Sequence, residues 1–337
     1  MGRFVLAIVL LGCKARHEDI PAPPTSNGSA LISMQAIDAG GQVAKPLAAR
    51  YAECIELANA AKWDDFKGCY TPQTKFEQPG LGDPHSLGEE LGERKNARIA
   101  FPDEHHDTQL IMVAGNTVVA IETIKATNSK SLTGPTSTIE ATNKRAGILL
   151  GQVVTFDETG RGTSDAAYFD VTTIVTQMGK SKALARSPDL KPWSPKVTVV
   201  ASFDAREQAN AKTIADYAAA FTKHDAKAVG ALLADTVVWS EQPIDTDFDK
   251  PATLGHFAAL WAGFSDLKLA HANTWAAGEY VAAAGTLEGT NDGELAGSAK
   301  TGKRVTIPIL GVYKLADGKI VAAWLFWQRQ GLSAQLR

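Results

Sequence analysis

Apolar residues recur along the chain with two different periods, and the order of those periods is the same in two halves of the sequence. Helical spacing opens each half, at Leu47, Tyr51 and Ile55 in the first and at Ile214 and Tyr217 in the second. Residues three or four apart lie on one face of a helix, so we predict an amphipathic helix at each place. A second helix is predicted to begin near Trp63 in the first half and at Asp225, a good N-cap residue, in the second.

Each half then passes through connections rich in glycine and proline into four runs of β-forming residues. These runs are 108–113, 117–125, 146–156 and 163–171 in the first half and 267–275, 280–290, 304–315 and 319–329 in the second. Turn signals such as Asp317 and Gly318 separate them, which is typical of antiparallel hairpins. Helices followed by strands predict an α+β fold, in which a curved antiparallel sheet packs on N-terminal helices.

The two halves also match residue by residue. Residues 101–103 (Phe-Pro-Asp) match 264–266 (Phe-Ser-Asp), and 127–128 match 290–291 as Thr-Asn, both at an offset of 163. After a short gap the offset becomes 158, which pairs Asp170 with Gln328. A fixed offset indicates a tandem duplication. We therefore predict domain 1 at 46–179, a linker at 180–209 with an edge strand at 196–201, and domain 2 at 210–337.

Composition is typical of a globular protein with about two domains, since 45% of the 337 residues are hydrophobic. The 34 basic and 37 acidic residues give a formal net charge of −3. A protein that binds nucleic acid needs a basic surface to neutralise phosphates, so nucleic acid is not an expected partner.

The N-terminus differs from the rest of the chain. Arg3 precedes an apolar run at 4–11, which is followed by Gly12 and Cys13. Eight apolar residues are too few for a bilayer, which needs roughly 20. The segment 1–13 resembles a bacterial lipoprotein signal peptide, which implies that Cys13 is acylated and anchors the protein to a membrane of the cell envelope. Residues 14–45 lack periodicity and are predicted to be a flexible tether.

Two further cysteines, Cys54 and Cys69, lie on successive predicted helices. An exported protein reaches an oxidising compartment, so the pair is either a disulfide or two buried thiols. Among the histidines, the spacing of His85, His224 and His256 does not suggest a metal site, and we expect neither a metal nor a cofactor.

The repeated motifs carry a family resemblance. Phe-Pro-Asp, Ala-Gly-Asn/Glu, the Thr-Asn turn, Asp-Gly-Lys-Ile and Tyr-Phe-Asp with Gln-Met-Gly together resemble the SnoaL-like branch of the nuclear transport factor 2-like superfamily. The resemblance implies two tandem cone-shaped α+β barrels, each with an apolar pocket. It also implies cofactor-free cyclase chemistry, with an aspartate of the last strand as the acid/base residue, and Asp170 occupies that position.

Candidate pocket residues follow from the same comparison. On a strand Asp170 shares a face with Tyr168, and if that face lines the pocket, burial raises the carboxylate's pKa and prepares it to take a proton. The alternative is that Asp170 caps the following turn. Asn128, Asn291 and His105 are the other polar candidates. In domain 2 the same face carries Trp324, Phe326 and Gln328, which predicts a filled core or an aromatic cleft without a base.

Three functions remain open from the sequence. Domain 1 is a cofactor-free enzyme of the ester cyclase or aldol-type cyclase/isomerase class, or the chain is a lipid-anchored binding protein for an apolar small molecule. In a third interpretation, domain 2 is a scaffold that covers the sheet of domain 1 and forms an intramolecular pseudo-dimer with it.

Overall fold

The structure, a computed structural model, describes residues 46–133 and 138–337. The predicted signal segment 1–13, including Cys13, and the predicted tether 14–45 lie outside the described residues. Within the described part, no helix combines the length and the apolar character needed to cross a bilayer.

Both copies contain helices that precede or interrupt a meander of strands. Domain 1 consists of α1 (Leu47–Asn59), α2 (Trp63–Lys67), β1 (Tyr70–Glu77), β2 (His85–Ser86), α3 (Leu87–Ala100), β3 (His105–Ala114), β4 (Thr117–Thr127), β5 (Leu132–Thr133), β6 (Thr138–Ile139), β7 (Arg145–Phe156), β8 (Gly162–Tyr168) and α4 (Val171–Gln177). The linker contributes β9 (Val197–Val200). Domain 2 consists of α5 (Ala205–Thr222), α6 (Ala226–Leu232), β10 (Leu233–Glu241), α7 (Lys250–Gly263), β11 (Lys268–Ala277), β12 (Tyr280–Thr290), β13 (Arg304–Ala316), β14 (Lys319–Trp327) and α8 (Arg329–Gln335).

Each domain is built on one sheet. The strand order is β2-β1-β8-β7-β4-β3-β9 in domain 1 and β10-β14-β13-β12-β11 in domain 2. The long central strands pair antiparallel, as predicted, and the predicted edge strand of the linker forms as β9. However, β1 pairs parallel to β8, β10 pairs parallel to β14, and β9 pairs parallel to β3. The α+β class with curved, mainly antiparallel sheets is thus confirmed, and the three parallel pairings are additions that the sequence did not indicate.

Among the elements that the sequence pattern missed, one strand and one helix occur in both copies, namely β1 and α3 and their counterparts β10 and α7. Helix α3 buries only Leu87, Glu90 and Ala100, so it lacks the apolar stripe that marks an amphipathic helix. A local signal was nevertheless present, because the Ser86 and Glu89 side chains form a capping box at its start. Strand β1 contains Pro72 and an irregular register, which weaken the alternation of a regular strand.

The helices of each domain cover one face of its sheet, and the core of the domain lies between them. In domain 1, Ile111 and Val113 of β3 pack against Tyr51 and Ile55 of α1. In domain 2, a larger core forms around Tyr217 of α5. The interior of each barrel is therefore the helix side of the sheet.

The opposite faces of the two sheets pack on one another. Leu110 and Met112 of β3 alternate with the interior residues and contact a cluster that includes Leu310 and Phe326 of domain 2. Successive side chains of a strand point to opposite faces, so both faces of these strands are buried. This explains why the strands appear in the sequence as continuous apolar runs.

The repeated Asp and Thr-Asn motifs hold the end of the sheet together. Asp103 Oδ1 accepts a hydrogen bond from the backbone N–H of Thr127 at 2.7 Å. Its counterpart Asp266 accepts one from Thr290, at the same place in domain 2. The motif matches that revealed the duplication are thus fold-determining contacts.

Candidate functional site

A line of six buried or half-buried polar side chains runs across the interior of domain 1, between the helices and the sheet. We call it the polar network, and its members are Tyr51, Tyr70, His106, Glu122, Gln152 and Asp165. One helix and five strands supply them: α1, β1, β3, β4, β7 and β8. Polar groups in an apolar interior are costly unless they are hydrogen-bonded, so a line of this length is a candidate site.

Gln152 stands at the centre of the network. Its Nε2 lies 2.7 Å from Asp165 Oδ1 and 2.9 Å from Oδ2, while its Oε1 lies 2.7 Å from the hydroxyl of Tyr51. The Tyr51 hydroxyl also lies 2.5 Å from Glu122 Oε1. On the other side, the Tyr70 hydroxyl donates to Asp165 Oδ2 at 2.7 Å. Two carboxyl groups are therefore connected through one amide and one phenol.

His106 connects the network to one end of the barrel. Its Nδ1 lies 2.8 Å from Glu122 Oε2 and its Nε2 lies 3.1 Å from Glu104 Oε1. Asn59 of α1 fixes the backbone of His106 through two hydrogen bonds of 2.8 Å. Burial alone would lower the pKa of His106, but the bonds to Glu104 and Glu122 raise it to about 9. His106 is therefore a cation at neutral pH.

Asp165 is the second buried carboxyl group of the network, after Glu122. It is 3% exposed, and burial raises its pKa to about 6, against the lowering effects of Gln152, Arg94 and Tyr70. The negative charge of Glu90 also raises the pKa of Asp165, by a smaller amount. A carboxyl group with such a pKa changes its protonation state close to neutral pH, which is what proton transfer requires.

A cluster of ions lies at the other end of the network. Glu90 of α3 accepts from Arg94 Nε at 2.5 Å and lies 2.8 Å from His85 Nε2. The ligand atoms of His85, Glu90 and Glu93 lie within 4.8 Å of one another, a geometry that a metal ion could use. However, the Arg94 cation already occupies one oxygen of Glu90 and repels a second cation. We therefore interpret the group as an ion-pair cluster.

Domain 2 replaces every member of the polar network. The strand register gives the counterparts of Tyr51, Tyr70, His106, Glu122, Gln152 and Asp165 as Ile214, Leu233, Leu269, Gly285, Gly311 and Ala323, respectively. None of these six carries a polar side chain. The same scaffold thus occurs twice in one chain, with the polar line in one copy only.

Aromatic rings fill the space in domain 2. Tyr217 packs against Trp239, Phe257 and Tyr313, with ring centroids 5.6, 6.3 and 5.9 Å away. Tyr217 occupies the position of Cys54 in domain 1, and its ring fills the centre of the barrel. The interior of domain 2 is thus a filled core, one of the two alternatives for this domain. The residues that fill it are Tyr217 and its neighbours, whereas the sequence pattern predicts Trp324 and Phe326.

Two segments of the chain, 46–178 and 211–336, match the sequence profile of the family described as SnoaL-like polyketide cyclase. The protein belongs to this family. Its two SnoaL-like domains thus coincide with the two copies of the duplication.

Several solved structures resemble a single copy of this SnoaL-like protein. AclR from Streptomyces galilaeus is 22% identical, covers 39% of this chain and 82% of its own, and has a TM-score of 0.36. IdmH from Streptomyces antibioticus is 26% identical, covers 38% of this chain and 97% of its own, and has a TM-score of 0.35. TsrD from Streptomyces laurentii is 16% identical, covers 40% of this chain and 98% of its own, and has a TM-score of 0.36. No curated protein matches the chain.

Asp170 lies elsewhere in this SnoaL-like protein than the strand pattern predicted. Strand β8 ends at Tyr168, and Asp170 is the N-cap of α4. Its Oδ2 accepts from the backbone N–H and the hydroxyl of Thr173 at 3.0 and 2.8 Å, and its Oδ1 accepts from the backbone N–H of Arg329 at 3.0 Å. The capping alternative therefore describes its geometry. The adjoining crevice measures about 10 Å³, which is about the space of one water molecule.

The predicted pocket face is the face between the two sheets. Tyr168, Trp324 and Phe326 all belong to the cluster that joins the domains, and Trp324 packs on Trp193 with ring centroids 4.7 Å apart. The expectation that these residues line barrel pockets is wrong. The alternation of side chains along the strand explains the error. Asp165 and Tyr168 are three residues apart, so they point to opposite faces, and Asp165 lies on the interior face.

The remaining polar candidates hold loops or lie at the surface. Asn128 Oδ1 accepts from the backbone N–H of Thr142 at 2.9 Å, and Asn291 Oδ1 accepts from that of Thr301 at 2.8 Å. His105 is exposed at the start of β3, whereas its neighbour His106 reaches the polar network. Gln328 is buried at the N-cap position of α8. The adjacent pair of His105 and His106 was the sequence signal that could have located the polar network. Neighbouring residues of a strand point to opposite faces, so only one of the two histidines can face inward.

Cys54 and Cys69 form a disulfide in the structure. It ties α1 to the start of β1, directly before Tyr70. The bridge thereby fixes the helix that carries Tyr51 relative to the strand that carries Tyr70.

Proposed function

We propose that domain 1 is a cofactor-free enzyme domain that moves protons on a carbonyl-bearing small molecule, as a cyclase or isomerase does. The observation that carries the proposal is the polar network of domain 1 and its complete replacement in domain 2. Maintaining a buried polar network costs stability, and domain 2 has the same scaffold without any of its six members. Membership of the SnoaL-like polyketide cyclase family supports the same class of chemistry.

Asp165 is the proposed proton-transfer group. Its carboxylate takes a proton from the carbon next to a carbonyl, the resulting enolate carbon attacks a second carbonyl of the same molecule, and the alkoxide formed takes up a proton. The new bond is carbon–carbon, and no oxidant or co-reactant is needed. A general base of this kind contributes typically 10²–10⁴-fold to the rate. Tyr70, which already donates to Asp165, orients the carboxyl group.

Approach of a substrate is proposed from the side of α3. There the Arg94 and His85 side chains are 21% and 17% exposed. They pack on the buried rings of Phe66 and Phe76, respectively, which separate them from the apolar core.

Deuterium uptake from D₂O into a panel of β-keto esters tests the proposal. Mass spectrometry measures uptake at the carbon between the carbonyls, and cyclised or isomerised products keep the mass of the substrate. Asp165→Asn is expected to lower catalysed uptake by about 10²–10⁴-fold. Asp170→Asn serves as the matched variant, because it retains a capping oxygen, and is expected to exchange at the wild-type rate. Loss of exchange in Asp170→Asn alone would instead assign the chemistry to Asp170.

Non-catalytic binding of an apolar molecule is the second candidate. The observation that favours it is that the atoms joining Tyr51, Gln152 and Asp165 are already partnered within the chain. Native mass spectrometry of the protein from its own host separates the two functions. A retained ligand without any deuterium exchange would support binding and contradict the enzyme proposal.

We also propose export and anchoring through Cys13. The Cys54–Cys69 disulfide supports an oxidising compartment. Metabolic labelling with a radioactive fatty acid tests this, with Cys13→Ser as the control. Label in the variant, or none in the wild type, would contradict acylation of Cys13.

A further inference from the structure

The polar network has fewer hydrogen atoms available for donation than it has hydrogen-bond contacts. From Glu122 to Asp165 the order of contacts is carboxyl, Tyr51 hydroxyl, Gln152 amide, carboxyl. Each contact needs one hydrogen between its two heavy atoms. Tyr51 supplies one, and the Gln152 amide donates in one direction only, because its oxygen faces the other way. Three contacts are thus served by two donors when both carboxyl groups are ionised.

We infer that Glu122 and Asp165 share one proton through Tyr51 and Gln152, so that the interior of domain 1 contains an acid and a base at the same time. The inference follows from the contacts alone, and only its chemical consequence rests on the proposed function.

Two arrangements satisfy all three contacts, and a half-turn of the Gln152 amide interconverts them. In the first, a protonated Glu122 donates to Tyr51, Tyr51 donates to Gln152 Oε1, and Gln152 Nε2 donates to an ionised Asp165. In the second, a protonated Asp165 donates to Gln152, Gln152 donates to Tyr51, and Tyr51 donates to an ionised Glu122. The oxygen and nitrogen of an amide are assigned from such contacts, so both orientations are compatible with the heavy-atom positions.

The surrounding charges favour the proton on Asp165. Glu122 faces the His106 cation of β3 and the Tyr51 hydroxyl of α1, and both stabilise a carboxylate. Asp165 faces Tyr70 of β1 and Gln152 of β7, with Arg94 and Glu90 of α3 farther away and opposite in sign. Burial, followed by the charge of Glu122, raises the pKa of Tyr51 well above its ordinary value, so its phenol keeps its proton in both arrangements.

The chemical consequence is a matched pair. In the arrangement with the proton on Glu122, the ionised Asp165 removes a proton from the substrate carbon, as in the proposed function, and the protonated Glu122 returns a proton to the developing oxyanion. Movement of the shared proton along Tyr51 and Gln152 then restores the starting state. The substrate class is therefore a compound that needs both steps together, a dicarbonyl with an acidic C–H group next to the carbonyl to be enolised.

Infrared spectroscopy of the full chain tests the proton count, because the C=O stretch of a protonated carboxyl group is separate from the bands of a carboxylate. At about pH 5.5 most ordinary carboxyl groups are ionised. Because the pKa of Asp165 is about 6, the wild type is expected to retain most of one additional protonated carboxyl group per chain at this pH. A wild-type spectrum without it would overturn the inference, whatever the result of the exchange assay.

Two isosteric variants identify the carriers. In Asp165→Asn the new amide donates to Gln152, and in Glu122→Gln the new amide donates to Tyr51, so each variant supplies the missing hydrogen. Both are expected to lose the protonated band completely. Persistence of the band in both variants would contradict the inference.

Control variants exclude other carboxyl groups. Glu93→Gln removes a half-buried carboxyl group whose pKa burial raises, and Glu241→Gln removes a buried carboxyl group of domain 2. Both are expected to keep the band at wild-type intensity. Loss of the band in Glu93→Gln would assign the proton to that residue and overturn the sharing.

Discussion

Asp170 and Gln328 each cap the terminal helix of the other domain. Asp170 Oδ1 accepts from the backbone N–H of Arg329 at 3.0 Å, and Gln328 Oε1 accepts from that of Val171 at 3.3 Å. The two residues occupy equivalent positions of the duplication, so the contacts are related by the same pseudo-symmetry as the domains. The equivalence found in the sequence is thus a physical contact between the copies.

Removal of the Asp170 carboxylate is expected to destabilise the protein more than removal of the Gln328 amide. Asp170→Ala loses the α4 cap, worth about 0.5–2 kcal/mol, and a charged hydrogen bond to Arg329, worth about 1.5–3 kcal/mol. Gln328→Ala loses one neutral bond of about 1 kcal/mol, and its Nε2 has no partner to lose among the described residues. Urea unfolding of both variants measures the difference. Equal losses would contradict the assignment of the cap.

Stability is expected to depend on pH through Asp165. Its pKa is about 6 in the folded protein, against an ordinary 3.8. Between about pH 4 and 6 only the folded state retains the proton, so the contribution of Asp165 to the unfolding free energy falls as pH rises through this window, by about 3 kcal/mol in total. Urea unfolding across the window, compared with Asp165→Asn, isolates this contribution. Parallel curves for the two proteins would contradict the raised pKa.

His106 is expected to act in a different pH range. Its pKa is raised from 6.5 to about 9 by Glu104 and Glu122, against the effect of burial. The stabilisation is fully present below pH 6.5 and is lost as pH rises through about 9, with a size of about 3 kcal/mol. Unfolding of the wild type and of His106→Gln between pH 6 and 10 measures it. The gap between the two curves should close at the alkaline end, and a constant gap would argue against a charged His106.

Much of the fold could be predicted from the sequence because its signals are local. The offset of 163 indicated the duplication, and the continuous apolar runs indicated strands such as β4 and β12. Helix α4 could not be predicted in this way, since Val171, Thr172 and Thr173 are β-branched and favour a strand. The Asp170 cap and packing of Val175 and Met178 against the Phe101 region stabilise the helix instead.

The candidate site was less accessible, because it depends on which face of each strand meets the helices. Both faces of β8 are at least partly covered, so the alternation of apolar and polar residues could not distinguish the interior face of Asp165 from the interdomain face of Tyr168. The five strands that contribute to the polar network are also spread over residues 70–168 of the chain. Only their pairing brings Glu122 and Asp165 to the two sides of Gln152.

Reduction of the Cys54–Cys69 disulfide is expected to destabilise domain 1. A bridge that closes a loop of about 15 residues contributes about 3 kcal/mol. Urea unfolding with and without a thiol reductant measures the effect, and a Cys54→Ala/Cys69→Ala double variant should not respond to the reductant. An identical response of the wild type and the double variant would indicate that the bridge contributes nothing.

The joining of two SnoaL-like domains in one chain has a consequence for how the protein can evolve. In a dimer of identical subunits every substitution appears twice, so a destabilising polar group is introduced in both interiors at once. Here Asp165 and Ala323 occupy equivalent positions and are inherited separately. One half can specialise in holding the pair together while the other retains the unfavourable polar network, a division of labour that a symmetric assembly does not permit.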